Sequence, residues 1–260
     1  MESGINIKGR IKTISKIVAG MLLVGFMIFS ANEILRTHAQ YQEEELLHQA
    51  MLVYKPSPST PKPQGEEITE PQEPSAVALM REQYPDVVGW ITIPGTQIDY
   101  PFLQGEDNDQ YLRADINGDY LLAGSIFLDY RSAPDFSGFN TVMYGHNMKN
   151  SSMFGSLPTF HRAEVFSTIT EGMVFLENAE YRLEIFACLL TNNYDSVLYN
   201  SLQEFDTDKQ AFLDYVRHNA DRYREIGVGI EDHILTLSTC SYEFDEARTV
   251  VVGRLVAIDE

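Results

Sequence analysis

The sequence has few basic residues for its length. Among its 260 residues, 19 lysines and arginines stand against 38 aspartates and glutamates, so the formal net charge is −19 at pH 7. A chain this acidic repels the phosphate backbone of nucleic acids, and we therefore expect no nucleic-acid partner. An acidic surface is compatible with Ca²⁺ or with basic partners, but solubility outside the cell is the simpler explanation.

Cysteine is also scarce, because only Cys188 and Cys240 are present. Cys188 lies within the apolar run LEIFACLL, a position typical of a small buried side chain. Cys240 ends a different apolar run and is followed by a short acidic loop. If the folded part of the chain is extracellular, the two cysteines could instead form a disulfide.

The sequence also lacks residues at the spacing of a metal-binding site. Neither Cys240 nor His146 has a third ligand nearby at the spacing of a zinc site. The segment DINGD at residues 115–119 begins like a calcium loop, but Tyr120 occupies the position of the turn glycine and the last ligand position is not glutamate. The sequence therefore predicts no metal and no cofactor, and the Asn-Gly pair of this segment is predicted to form a hairpin turn.

One stretch of the chain is apolar and long enough to cross a membrane. Residues 17–31, IVAGMLLVGFMIFSA, carry no charge and follow a tail with four basic residues. Together with their apolar neighbours they predict a transmembrane helix over residues 14–35. Positive flanks stay cytoplasmic, so residues 1–13 are expected inside the cell and the rest of the chain outside. The alternative is a secretory signal peptide cleaved after Ala31 or Ala39.

A linker is predicted between this span and the folded part. Residues 36–54 have a helix-forming composition, and residues 55–74, KPSPSTPKPQGEEITEPQEP, contain six prolines and few apolar residues. Residues 36–74 are therefore predicted to be a juxtamembrane helix followed by an extended stalk. The folded domain is predicted to cover residues 75–260, beginning with a short helix that ends at Gln83.

The folded part has mainly the pattern of β-structure. Apolar, β-branched runs bounded by Gly, Pro, Asn and Asp predict strands. These runs lie at residues 87–93, 98–103, 121–128, 140–145, 172–177, 180–190, 233–240 and 248–258. Eight such runs within about 175 residues predict a closed barrel or a sandwich.

One long helix is predicted late in the chain, within DTDKQAFLDYVRHNADRYR. The side chains at helical spacing are Phe212, Tyr215, Val216, Asn219 and Tyr223. Thr207 and Gln210 have the spacing of a capping box, which predicts that the helix begins just after Thr207.

Three residues with useful chemistry stand at the ends of apolar runs: His146 in TVMYGHNM, Cys240 in TLSTC and Arg248 in EARTVVVG. A strand end can hold a side chain rigidly while the adjoining loop leaves it accessible. A cysteine attacks as the thiolate, a histidine can protonate a leaving amine, and an arginine can hold a carbonyl or a developing oxyanion. The three side chains together describe acyl transfer through a thioester.

His146 and Arg248 also have ordinary structural explanations. His146 alone would suit a hydrogen-bonded polar residue, and Arg248 could form a surface ion pair with the acidic loop at residues 243–246. The spacing of the residues does not decide between the two explanations.

Several segments, in the same order along the chain, resemble one enzyme family. TLSTC at residues 236–240, followed by an arginine eight residues later, resembles the signature of sortases, the cysteine transpeptidases of Gram-positive bacteria. NTVMYGHNMKNSSMFGSL at residues 140–157 is similar to the histidine segment of class B sortases. DVVGWITIPGTQIDYPFLQ and AGSIFLDYR also fit that class, and the resemblance covers residues 80–258.

The resemblance implies a fold and roles for the site residues. The fold would be the eight-stranded sortase β-barrel, with an N-terminal helix and one long helix between the late strands, behind a single N-terminal transmembrane helix. Cys240 matches the nucleophile of the family, His146 its acid/base, and Arg248 the residue that steadies the substrate and the oxyanion. The residues that would line the peptide groove are Asn108, Leu112, Ser238 and Thr239.

The resemblance also implies partners and a location. Sortases cleave a C-terminal sorting motif of surface proteins after its threonine, keep the acyl group as a thioester, and pass it to an amine of the cell-wall precursor or peptidoglycan. The chain is expected to be a single-pass membrane protein with an extracellular catalytic domain. Ser241 follows the cysteine where some class B members have an acidic residue, which leaves the sorting motif open.

Three alternatives are compatible with the same residues. A lysine of another pilin subunit as the acceptor would make the chain a pilin-polymerising sortase. Hydrolysis of the thioester by water would make it a protease. A non-catalytic surface-binding β-domain on a stalk would need no reactive thiol. No C-terminal sorting signal is recognisable, so we expect an enzyme rather than a sortase substrate.

Overall fold

A computed structural model describes residues 7–58, 74–240 and 246–258 of the chain. The side chains of residues 7–13 and of Cys240 lie outside this description. Most of the stalk predicted at residues 55–74 and most of the acidic loop at residues 243–246 also lie outside the described residues.

The helices and strands have the following bounds. The α-helices are α1 Ile7–Met51, α2 Ala76–Gln83, α3 Ala163–Thr168 and α4 Asp206–Asn219, and short 3-10 helices cover Leu52–Tyr54 and Leu157–His161. The strands are β1 Val87–Thr92, β2 Asp99–Leu103, β3 Ile126–Leu128, β4 Asn140–Tyr144, β5 Glu171–Leu176, β6 Glu180–Asn192, β7 Arg222–Tyr223, β8 His233–Cys240 and β9 Ala247–Ala257.

The chain divides into two compact units between Leu47 and His48. The first unit is made largely of α1, which from Ile14 onward is long and apolar enough to cross a membrane, by length and composition. Large apolar side chains of this helix are exposed, with Leu22 at 70% and Phe26 at 69%. Helix α1 could therefore serve as a membrane anchor.

All strands except β7 join in one closed ring. The order around the ring is β5, β1, β2, β3, β4, β8, β9 and β6, and β6 pairs with β5 to close it. The two-residue strand β7 pairs with β6 outside this ring. The eight-stranded barrel expected from the sequence is therefore confirmed, and the sandwich alternative is wrong.

The predicted β-runs agree with the ring strands, except that β3 is shorter than the run at residues 121–128. The first part of that run turns instead, because Gly124 has φ +59° and its N–H donates to Leu121 O at 3.0 Å. A side chain at Gly124 would lie 2.5 Å from Leu112 O. Glycine is thus needed where the chain passes the loop that carries Leu112.

The hairpin turn predicted within residues 115–119 is confirmed. Ala114 pairs with Tyr120 across the turn, and Gly118 has φ +83°. The Asp115 carboxylate accepts hydrogen bonds from the backbone N–H groups of residues 117 and 119, so it stabilises the turn itself.

Helix α4 has ends that differ from the prediction. It begins at Asp206 after Phe205, and no side chain caps its first turn. The capping box predicted at Thr207 is wrong because Thr207 already lies inside the helix. Tyr223 belongs to β7 rather than to the helix, since β7 pairs with β6 and fixes an extended backbone there.

The buried face of α4 supports the strand that carries Arg248. Phe212 and Val216 of α4 belong to one apolar cluster with Val250 and Val252 of β9. These two valines lie on the same face of β9 as Arg248, because side chains two residues apart along a strand point to the same side.

Cys188 is a free thiol with no exposed surface, on β6 opposite Val251 of β9. Burial raises the pKa of its thiol well above the usual range. The prediction that Cys188 is buried is confirmed, and the alternative of a disulfide is wrong.

Candidate active site

Three neighbouring strands bring the predicted site residues to one end of the barrel. Cys240 ends β8 and lies opposite Arg248 in the antiparallel register of β9. Strand β4 runs parallel to β8, with Tyr144 beside Ser238, and His146 follows β4 by two residues. Parallel strands that are paired in this way end at the same edge of a sheet, so His146 and Cys240 reach the same end of the barrel.

A cavity of about 320 Å³ opens at this end of the barrel. Its lining includes every predicted site residue whose side chain the structure describes. These residues are Asn108, Leu112, His146, Ser238, Thr239 and Arg248. The structure therefore gathers residues from distant parts of the chain around one opening of a size suited to a ligand.

A second, larger cavity of about 410 Å³ has Arg81, Pro134 and Glu177 in its lining and contains none of the predicted site residues. We assign the candidate site to the smaller cavity. A nucleophile, an acid/base and a cation must lie together for acyl transfer, and size alone does not indicate chemistry.

His146 is held by the loop between β2 and β3. Its Nε2–H donates to Leu112 O at 2.7 Å, because a carbonyl oxygen can only accept. In the neutral ring the basic nitrogen is then Nδ1. Burial lowers the pKa of His146, and the charges of Arg113 and Arg248 lower it further, although the bond to Leu112 acts in the opposite direction. His146 is therefore mainly neutral at pH 7.

Arg248 places its guanidinium on the cavity wall. Its Nη1 donates to Ala247 O at 3.0 Å, and its Nη2 lies 3.7 Å from the Glu246 carboxylate. The side chain of Arg248 is 23% exposed and that of Glu246 is 55% exposed. The ion pair expected as an alternative role does exist, but it is too long for a hydrogen bond and is partly in water, so it contributes little.

The residues expected to line the peptide groove have well-defined partners. Ser238 Oγ is 2.9 Å from the Tyr199 hydroxyl, and Asn108 Nδ2 donates to Asp129 at 3.0 Å. Leu112 is 39% exposed as a residue, and its carbonyl oxygen accepts the hydrogen bond from His146. Thr239 also lines the cavity, but alternation along β8 puts its side chain on the face opposite to that of Ser238.

The cavity also contains residues that the sequence analysis did not identify. They are Phe127, Arg131, Tyr144, Gly145, Asn193 and Tyr199. Tyr144 lies two residues before His146, and Arg131 ends the segment AGSIFLDYR, so both were within reach of a motif-based prediction. Tyr199 and Asn193 lie in the connection after β6, where no periodicity or motif marks them.

The chain is similar to known proteins over most of its length. Residues 91–256 match the family model described as the sortase domain. Sortase B of Listeria monocytogenes is 32% identical over 239 residues, which cover 91% of this chain and 94% of that protein. The crystal structure of sortase B from Bacillus anthracis in complex with AAEK1 has a TM-score of 0.71 at 32% identity and covers 84% of this chain and 98% of that chain.

A class B sortase of Streptococcus pyogenes involved in pilus biogenesis is also similar. Its structure has a TM-score of 0.61 at 35% sequence identity, and the match covers 66% of this chain and 93% of that chain. The fold is thus a closed β-barrel with a candidate site at one end of the barrel. The chain belongs to the sortase family, within class B, and is a sortase-type transpeptidase. The alternative of a non-catalytic binding domain is therefore set aside.

Proposed function

We propose that the enzyme joins secreted surface proteins to the cell wall through a thioester on Cys240, with His146 as acid/base and Arg248 as the ligand of the reacting carbonyl. The observation that carries the proposal is the meeting of β4, β8 and β9 at one cavity. Cys240 lies opposite Arg248 there, and His146 lines the same opening. The substrate would be a C-terminal sorting motif that is cleaved after threonine, as in the sortases that the chain resembles.

In the acylation step, the Cys240 thiolate attacks the carbonyl carbon of the threonine and a C–S bond forms. Negative charge moves onto the carbonyl oxygen, where the planar donors of Arg248 stabilise it. The C–N bond then breaks, and His146, as the imidazolium, gives its proton to the leaving amine. The acyl group stays on Cys240 as a thioester.

In the second step, an amine of the peptidoglycan or its precursor attacks the thioester carbonyl. A C–N bond forms, the C–S bond breaks, and Cys240 leaves as the thiolate. Neutral His146 accepts the proton that the attacking amine releases, so the enzyme returns to its starting protonation state.

The protonation states that this mechanism needs are uncommon at neutral pH. A free cysteine titrates near pH 8.5 and a free histidine near pH 6.5, so most molecules hold a thiol and a neutral imidazole. The lowered pKa of His146 makes the imidazolium rarer still. We therefore expect a slow enzyme with a bell-shaped pH profile whose two limbs belong to the Cys240–His146 pair.

The nucleophile is tested by replacing each cysteine in turn. Cys240→Ala should abolish cleavage of a sorting-motif peptide and leave the fold intact. Cys188→Ala, the matched control, should keep activity at a modest cost in stability, because a buried side chain is shortened. Mass spectrometry of trapped wild-type enzyme should find the acyl group on Cys240. Substantial cleavage by Cys240→Ala would overturn the proposal.

Helix α1 is proposed to anchor the enzyme with residues 1–13 in the cytoplasm and the barrel outside. The apolar length of α1 supports this arrangement. The full chain should fractionate with membranes, and protease added to intact cells should degrade the barrel. Secretion of a form that lacks the first thirty-odd residues would instead favour a cleaved signal peptide.

A second candidate function is pilin polymerisation, with a lysine of another pilin subunit as the acceptor. The similarity to the Streptococcus pyogenes enzyme favours considering it. Mass spectrometry of products formed with a peptidoglycan stem peptide and with a lysine-containing pilin peptide would separate the two. Hydrolysis products alone, with either amine present, would indicate a protease.

A further inference from the structure

Asp129 is a fully buried carboxylate immediately after β3. It accepts hydrogen bonds from Arg131 Nε at 2.8 Å and from Arg131 Nη2 at 2.7 Å. The same carboxylate accepts from Asn108 Nδ2 at 3.0 Å and from the Tyr144 hydroxyl at 3.0 Å. Asn108, Arg131 and Tyr144 all line the active-site cavity, so one buried acid holds three of its wall residues.

The three tethered residues come from different elements. Asn108 lies in the loop between β2 and β3, and its Oδ1 accepts from the backbone N–H of Tyr130 at 3.0 Å. Tyr144 ends β4, two residues before His146. Arg131 extends the network to the connection after β6, because its Nη2 also donates to Tyr199 O at 3.2 Å. The carboxylate thus joins separate parts of the chain into one wall.

The charge state of Asp129 suits this role. Burial opposes ionisation of the carboxyl, but the hydrogen bonds from Arg131 and Asn108 hold the pKa of Asp129 below its usual range. The group is therefore ionised throughout the neutral range. Removing the charge would leave Arg131 without its buried partner. Loss of one partner from such an ion pair strongly lowers the stability of the fold.

We propose that Asp129 is a positioning residue that fixes Asn108, Arg131 and Tyr144 as a pre-formed wall of the peptide groove. It sets the affinity for the substrate rather than the rate of bond making. Cys240 and Arg248 are placed by the register of β8 and β9, in which Asp129 takes no part. The substrate class rests on the proposed function, but the order of the wall can be measured without turnover.

Asp129→Asn tests the role with almost no change of shape. It turns one acceptor oxygen into a donor that faces other donors, so the wall loses its anchor. We expect KM for a sorting-motif peptide to rise by about tenfold or more, with kcat changed by less than about threefold, because a ground-state binding surface is disturbed. The matched control is Asp135→Asn on the same connection, whose exposed carboxylate accepts from Ser137. It should leave both constants unchanged.

A second measurement does not depend on activity. The backbone N–H of Tyr130 donates to Asn108, so its exchange with solvent reports whether Asn108 is still held. In Asp129→Asn this amide should exchange about tenfold faster or more, while amides of β8 keep their wild-type rates, because the opening is local. Asp135→Asn should exchange like wild type at Tyr130.

Several outcomes would overturn the inference. They are an unchanged KM in folded Asp129→Asn, a loss confined to kcat, and unaltered exchange at Tyr130. If Asp129→Asn does not fold, Tyr144→Phe removes one tether and keeps the ring, and KM should then rise by about two- to fivefold at constant kcat. A wild-type KM in Tyr144→Phe would also overturn it. Faster exchange at Tyr130 together with a wild-type enzyme that cleaves no sorting peptide would refute the proposed function and not the positioning role.

Discussion

Arg248 has a backbone that strand pairing fixes and a guanidinium that makes few contacts with the described residues. Its backbone is set by pairing with Cys240, whereas its guanidinium contacts only one carbonyl and one distant carboxylate among the described residues. Neither contact has the bidentate geometry that would tie up the planar fork of donors. The side chain is therefore suited to hold a substrate oxygen beside Cys240, the proposed nucleophile at the end of β8.

Replacing Arg248 with lysine should separate charge from geometry. The positive charge is kept, but the fork of donors is lost, so kcat/KM should fall by about 10²–10³, the usual cost of removing an oxyanion donor. Arg254→Lys on the same strand, where the arginine bonds Glu184, is the matched control and should keep full activity. Steady-state kinetics decide the matter. An Arg248→Lys enzyme as active as wild type would favour the ion pair with Glu246 as the residue's role.

The lowered pKa of His146 should set the position of the acid limb in the profile of kcat/KM against pH. His146 loses its proton before the cysteine does, so the acid limb of kcat/KM should have its midpoint below the ordinary histidine value of about 6.5. In the proposed mechanism, the reactive thiolate–imidazolium form is a constant minority between the two limbs, and its fraction grows as the pKa of His146 rises. A change that raises this pKa should therefore move the acid limb to higher pH and increase the rate.

Arg113→Gln should make this change, because the charge of Arg113 lowers the pKa of His146. The acid limb should move upward by a fraction of a pH unit and the rate at neutral pH should rise. Lys149→Gln removes an exposed cation from the loop after His146 and should leave the limb in place. Measurement of kcat/KM against pH for the three enzymes tests the sign. A downward shift in Arg113→Gln would contradict it.

At the scale of elements, the sequence predicted the ring strands, which depend on local patterns. Each ring strand follows a β-branched run bounded by turn residues, and such runs are visible without the fold. The strand β7 was not predicted, since its pairing with β6 decides where the helix can end. The start of α4 was also missed, because no side chain caps its first turn. The site divides in the same way. His146, Cys240 and Arg248 lie in recognisable motifs, whereas the contacts of Asp129 with Asn108 and Tyr144 join positions that only the closed barrel brings together.

The helix caps give a direct test at this scale. The Ser75 hydroxyl caps α2 by accepting from Ala78 N at 3.1 Å, and it also donates to Glu177 O at 2.8 Å. Ser75→Ala should therefore lower the free energy of unfolding by about 1 kcal/mol. Thr207→Ala, its counterpart at α4, should change it by less than about 0.5 kcal/mol, because Thr207 caps nothing. Urea unfolding of both variants measures the difference. An equal loss in the two would restore the capping box at Thr207.

At the scale of the whole molecule, the chain before the predicted domain start at residue 75 contributes to the barrel unit. The His48 ring stacks on Tyr100 at 4.4 Å, and His48 Nε2–H donates to Asp99 O at 2.9 Å. Lys55 Nζ lies 2.6 Å from the Asp99 carboxylate, and Met51 is only 6% exposed. A protein that starts at residue 75 loses all of these contacts but contains every described residue that lines the candidate active-site cavity.

We therefore expect proteins that start at residue 48 and at residue 75 to be equally active but unequally stable. Both should be soluble, monomeric and able to cleave a sorting peptide, since Asn108 is the first of the described residues that line the cavity. The shorter protein should lose about 2 kcal/mol of unfolding free energy, which is the scale for the burial of one methionine side chain. The partly exposed Lys55–Asp99 pair adds little to this loss. Urea unfolding compares the two, and Met51→Ala in the longer protein should reproduce most of the loss. Equal stability would show that residues 48–55 do not pack against the barrel in solution. A large loss of kcat/KM in the shorter protein would show that the missing residues also affect catalysis.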